Sequence, residues 1–243
     1  MYNALTKDFS NVIEGNERLL RPRLADGIFF YDNDLKNGLS TDGLEKVAFF
    51  KGLGTVADKI ARETKIANTL FDMYKIDASK DDLNRAVGLA KADLMSEMVY
   101  EFTELQGLMG GYYATAAGES QAVVTAITEQ YLPDGEDSEL PSTPLSAIVA
   151  MSLKLDTLLA LFSINQIPTG SRDPFALRRA VNGLVRITKE HNLEFDVVET
   201  LKELSSGYEN IDMQKLESFF LGRVKQYFKG VKPSFIEAVL ASG

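Results

Sequence analysis

The segment from Leu145 to Ile164 constrains this chain more than any other. It is twenty residues long, and its only charges are Lys154 and Asp156. A run of that length is enough to cross a bilayer. Two central charges would each cost roughly 2.5–3.5 kcal/mol on insertion, and Ser146, Ser152 and Thr157 add polar groups. The pattern therefore predicts the buried central helix of a helical bundle with no membrane span. Lys154 and Asp156 then lie near the core and require partners, either as a structural pair or in a functional role.

The remaining periodicity is helical almost throughout. Thr41 to Gly52 opens on a Thr-Asp cap and carries Leu44, Val47, Ala48 and Phe50. Thr55 to Tyr74 places Val56, Ile60, Ile66 and Leu70 at helical spacing. Ser79 to Phe102 begins with a capping serine and acids in the first turn, and reads as one long helix. Further helices are expected at 119–131, 141–165, 173–192, 195–204, 212–228 and 234–240. Gly52-Leu53-Gly54, Gly110-Gly111 and Pro168-Thr169-Gly170 read as breaks. The fold class is all-α, with a domain over residues 1–192 and a smaller helical segment over 193–243.

Composition removes several chemistries. With no Cys, there is no disulfide scaffold, Cys-zinc site, iron–sulfur cluster or thiol nucleophile. The single His191 excludes sites that need two histidines; at a helix end it reads as a charge partner rather than a base. No phosphate-binding loop, dinucleotide fingerprint or nucleophile elbow is present. Residues 1–11 lack a basic-then-apolar leader, and a reducing cytoplasm is the expected location.

The net charge of −9 opposes general attraction to nucleic acid, but not a local basic patch. Two such stretches occur. Arg172, Arg178, Arg179, Arg186 and Lys189 face only Asp173 and Glu190. Lys215, Arg223, Lys225, Lys229 and Lys232 face only Glu217 and interleave with Tyr227 and Phe228. Phosphate binding and base stacking suit these residues, as does a solvated helix face. Asp93, Glu97, Glu101 and Glu104 fall on one face if their helix is continuous. That stripe suits Mg²⁺ or internal cationic partners.

Two motifs are the most specific. One is Glu101-Phe102-Thr103-Glu104-Leu105-Gln106-Gly107-Leu108-Met109-Gly110 with Tyr112-Tyr113-Ala114. The other is Pro168-Thr169-Gly170-Ser171-Arg172-Asp173-Pro174-Phe175-Ala176-Leu177-Arg178-Arg179. Together with Gly15-Asn16-Glu17-Arg18, Arg21-Pro22-Arg23-Leu24 and Lys91-Ala92-Asp93-Leu94, they resemble the β subunit of the bacterial heterotetrameric glycyl-tRNA synthetases, over about residues 12 to 190. Family members are much longer, so the chain resembles the middle of one.

That region is similar to the HD superfamily, whose His-Asp pairs bind metal. Lys91 and Asp93 stand at the expected pair, and Met151, Leu153 and Asp156 replace an acidic run. Leu153 also departs from the synthetase pattern, where Asp is expected. Met and Leu do not ligate hard cations, and Lys brings an opposing charge. The resemblance implies an HD-like fold with a degenerate site, no metal and no catalytic residue. It also implies a tRNA-binding and assembly role beside an α subunit, in an α2β2 enzyme that uses ATP and Mg²⁺ elsewhere to join glycine to tRNA-Gly. Arg172, Arg178 and Arg179 lead the expected phosphate contacts, on a helix begun by Asp173 with Pro174 in its first turn. Arg21, Arg23, Lys59 and Arg62 follow. A metal-dependent phosphohydrolase with an unusual carboxylate site and a structural subunit-interaction scaffold are the alternatives.

Overall fold

The computed structural model describes residues 8–169 and 173–241. Among these every regular element is helical, and one antiparallel bridge pairs Ala48 with Thr55. The helices are α1 (Ser10–Asn37), α2 (Val56–Met73), α3 (Lys80–Leu89), α4 (Glu97–Glu101), α5 (Leu108–Ala116) and α6 (Gln121–Glu129). They continue with α7 (Pro144–Ser163), α8 (Leu177–Glu190), α9 (Val197–Ser205), α10 (Met213–Tyr227) and α11 (Pro233–Ala241).

Local chemistry sets most helix starts. Thr55 with Asp58 and Thr143 with Ser146 form capping boxes at α2 and α7, satisfying two backbone donors at each end. Pro144 occupies the first turn of α7, where its missing N–H costs nothing. Ser79, Ser96, Ser120, Asp196 and Asp212 cap α3, α4, α6, α9 and α10.

Helix α7 is the axis of the fold, as its composition predicts. Ile148, Met151, Leu155, Leu158 and Leu159 are fully buried, and α7 packs on α2, α6 and α8. It is long and apolar enough to cross a membrane, yet most of it lies inside the protein. Leu201 and Leu204 of α9 and Leu216 and Phe220 of α10 join the same core. Helix α1 stands apart, with Asp34 its one buried residue. Its C-terminal half reaches a second, smaller core of Met98, Val99, Met109 and Tyr113.

Four expectations are corrected. Residues 41–52 form only a short 3₁₀ turn at Leu44–Lys46. The chain then extends, and the Val56 N–H donates to the Val47 carbonyl at 2.8 Å. The expected helix over 79–102 breaks after Leu89 into a 3₁₀ turn at Ala92–Met95 and the short α4. The break exists because Ser96 starts a new helix and the Asp93 carboxylate is held by distant amides, those of Gly107 at 2.6 Å and Gly110 at 3.3 Å. Gly110 and Gly111 lie inside α5 instead of ending an element. A Cβ on Gly110 would stand 2.9 Å from Ile127 Cγ2, so glycine there serves the close approach of α5 to α6. Finally, α8 begins at Leu177, after Ala176 in the left-handed region, and Pro174 precedes it.

Candidate functional site

Beneath α7 lies a buried charged centre. Lys59, Glu63, Lys91, Asp93, Lys154 and Asp156 are all buried. Asp156, with no exposed surface, accepts from Lys59 Nζ at 2.7 Å, Arg62 Nε at 2.7 Å and Tyr208 Oη at 2.7 Å. Burial alone would raise its carboxyl pKa, but the Lys59 and Arg62 charges outweigh that and hold it below the ordinary value. Lys59 Nζ also stands 3.0 Å from Glu63 Oε1, a charge contact without hydrogen-bond alignment. Arg62 Nη1 donates to the Leu53 carbonyl at 3.0 Å.

Lys91 donates to Gln130 Oε1 and lies 4.5 Å from the Tyr131 ring centre. Desolvation lowers its pKa, against the pull of Glu63, Asp93 and Asp156. Desolvation raises that of Asp93, against the Gly107 amide and the Lys91 charge. Met151 is buried and apolar, and Leu153 is half-buried. The positions assigned to a degenerate metal site thus hold carboxylates whose partners are ammonium, guanidinium and backbone N–H groups. Among the described residues no three His, Cys, Asp or Glu side chains come together as metal ligands.

The acidic stripe is not one face. Asp93 lies in a 3₁₀ turn, Glu97 and Glu101 in α4, and Glu104 in a second 3₁₀ turn. Glu97 accepts from Asn33 Nδ2 at 3.3 Å, and Glu101 lies 4.0 Å from Arg23.

The predicted tRNA contacts separate into groups. Arg172 lies outside the described residues. The half-buried Arg178 gives its backbone N–H to Asp173 Oδ2 at 2.9 Å, and the Leu177 N–H bonds Oδ1 at 2.9 Å. The Asp173 carboxylate therefore already occupies the amides at the α8 start, where a phosphate was expected. Arg179 is exposed and has no ion pair or side-chain hydrogen bond among the described residues. Arg21 is exposed and 3.8 Å from Glu17, while Arg23 lies 4.7 Å from the Phe102 ring centre. Lys59 and Arg62 are committed to Asp156; Lys59, 6% exposed, is not a surface cation.

The two basic stretches meet in space. A cleft of about 370 Å³ lies between the 133–136 loop, α8 and the end of α10, bringing Arg179 and Arg186 together with Tyr227 and Lys229. Asn182 and Gln226 also line it. Sequence reasoning missed both, although Asn182 sits three residues after Arg179 on the same helix face.

Comparison with known proteins agrees with the resemblance. The family model described as glycyl-tRNA synthetase beta subunit matches residues 1–241. The glycine–tRNA ligase beta subunit of Helicobacter pylori (strain Shi470) is 47% identical over 98% of this chain and 35% of its own length. That of Shewanella sediminis (strain HAW-EB3) is 43% identical over 98% of this chain and 36% of its own length. The chain thus spans about a third of the length of the relatives it matches. By sequence across nearly all its residues, this chain belongs to the glycyl-tRNA synthetase beta subunit family.

Proposed function

We propose that this chain is a noncatalytic, tRNA-binding and assembly region of a cytoplasmic glycine–tRNA ligase. The observation behind the reading is the match to beta subunits of that ligase over 98% of the chain. The buried centre supports the noncatalytic half. Of the carboxylates an HD-like hydrolase would direct at metal, Asp156 is held by Lys59, Arg62 and Tyr208, and Asp93 Oδ2 by the Gly107 and Gly110 amides. In this reading residues 1–192 are an HD-like body and residues 193–243 a helical buttress. An α subunit and tRNA-Gly are the partners, and ATP and Mg²⁺ serve chemistry on the α subunit.

Titration of the chain with tRNA-Gly at two salt concentrations tests the reading. Saturable binding that weakens linearly in log salt is expected, because phosphate neutralisation releases counterions. Absence of binding favours the scaffold alternative. Phosphoester turnover lost on chelation favours the phosphohydrolase.

A further inference from the structure

The cleft between α8 and α10 combines three kinds of group: cations, amides and an aromatic ring. Arg179 and Lys229 are exposed cations with no ion pair among the described residues. Among the described residues the amides of Asn182 and Gln226 make no side-chain hydrogen bond. Tyr227 presents a half-buried ring, braced edge-on by Phe228 with centroids 5.0 Å apart. Opposite them, the loop with Asp134 and Glu136 is pinned by Arg186, which donates to the Gly135 carbonyl at 2.7 Å and the Ser138 carbonyl at 2.6 Å.

The charge balance narrows the ligand. Three cations and two carboxylates line the cleft, leaving one net positive charge. That suits a single phosphodiester and opposes a bare polyphosphate. A volume near 370 Å³ falls at the small end of ligand sites and is far below a duplex groove contact. Unpaired amides and carboxylates beside an aromatic ring match the edge and face of a base.

We propose that this cleft receives one unstacked nucleotide of a tRNA. Its base stacks on Tyr227, its phosphate lies between Arg179 and Lys229, and its edge bonds the Asn182 and Gln226 amides and the Asp134 carboxylate. The inference rests on the tRNA-binding reading above and assigns that reading a specific surface.

The test is tRNA-Gly titration of the chain and its variants at two salt concentrations, with circular dichroism confirming each fold. Tyr227→Ala should weaken binding about tenfold with an unchanged salt slope, and Tyr227→Phe should retain wild-type affinity. Arg179→Gln and Lys229→Gln, both at exposed positions, should each make the slope shallower by about one unit. Inorganic pyrophosphate at millimolar concentration should not displace the tRNA. Folded variants that all keep wild-type affinity and slope, while the wild-type chain binds, overturn the cleft and leave the tRNA reading intact. Displacement by pyrophosphate overturns base recognition. A wild-type chain that binds no tRNA overturns both.

Discussion

Asp156 and Lys154 lie two residues apart on α7 and meet opposite circumstances. Asp156 has three side-chain donors, so its charge is compensated. Lys154 gives its Nζ to the Tyr131 carbonyl at 3.0 Å; the Asp134 charge favours its charged form and the Lys91 charge opposes it. Desolvation pushes its pKa down from 10.5 to about 8. Between those values the unfolded chain binds a proton that the folded chain does not. The contribution of Lys154 to stability therefore rises with pH across that window, and the cost of burying its charge is fully present below about pH 8. Lys154→Met removes that cost. Its stability relative to wild type should be greatest at pH 7 and decline towards pH 10, read from urea midpoints at both pH values; a gap independent of pH contradicts the assignment. The sequence showed that both residues needed partners. It did not show which, because Lys59 and Arg62 come from 97 and 94 positions away. A lone cation on a helix reads equally well as a phosphate ligand until its distant carboxylate is placed.

Caps and apolar spacing were the most legible features among the elements. The starts of α2 and α3 follow from Thr55 and Ser79, while α7 starts at Pro144 behind its Thr143 cap, three residues after the expected 141. Two of the failures share a cause, which is that a tertiary contact decided the local structure. Asp93 stops a helix by binding the Gly107 and Gly110 amides, and Gly110-Gly111 continues one because α6 must come close. Helix α1 escaped notice because Pro22, Gly15 and Gly27 interrupt its pattern and it has almost no buried face. For α7 the sequence pattern and the packing agree, so its energetics follow directly. Leu155→Ala and Leu159→Ala remove fully buried side chains and should each cost roughly 2–5 kcal/mol in chemical denaturation. Losses below about 1 kcal/mol at both positions contradict the central placement of α7.

Taken as a whole, the molecule is tied together across its sequence, except at one end. Its main core runs from Ile66 through α7 to Phe220. Tyr208, between α9 and α10, donates to Asp156 at 2.7 Å, joining the C-terminal segment to the charges that α2 supplies. Phe195 stacks on Phe220 with centroids 5.7 Å apart. The boundary near residue 192, drawn from the succession of expected helices, is therefore crossed by both apolar and polar contacts. Helix α1 has the opposite character. Leu19, Leu20, Leu24 and Ile28 are exposed, and its anchor is Asp34, which accepts from the Tyr113 hydroxyl at 2.6 Å and the Glu97 N–H at 2.8 Å. Opening free energies follow buried contact and not chain position. Native-state hydrogen exchange should then give the amides of Leu201, Leu204, Leu216 and Phe220 protection close to that of Leu155 and Leu159. Protection in α1 should rise from almost none near Ser10 towards Asp34. The Tyr208→Phe substitution removes one donor to a buried carboxylate and should lower protection in α7 and α10 together. If α9 and α10 instead exchange well before α7, the segment beyond residue 192 opens as a unit of its own, and the shared core does not make the two cooperative.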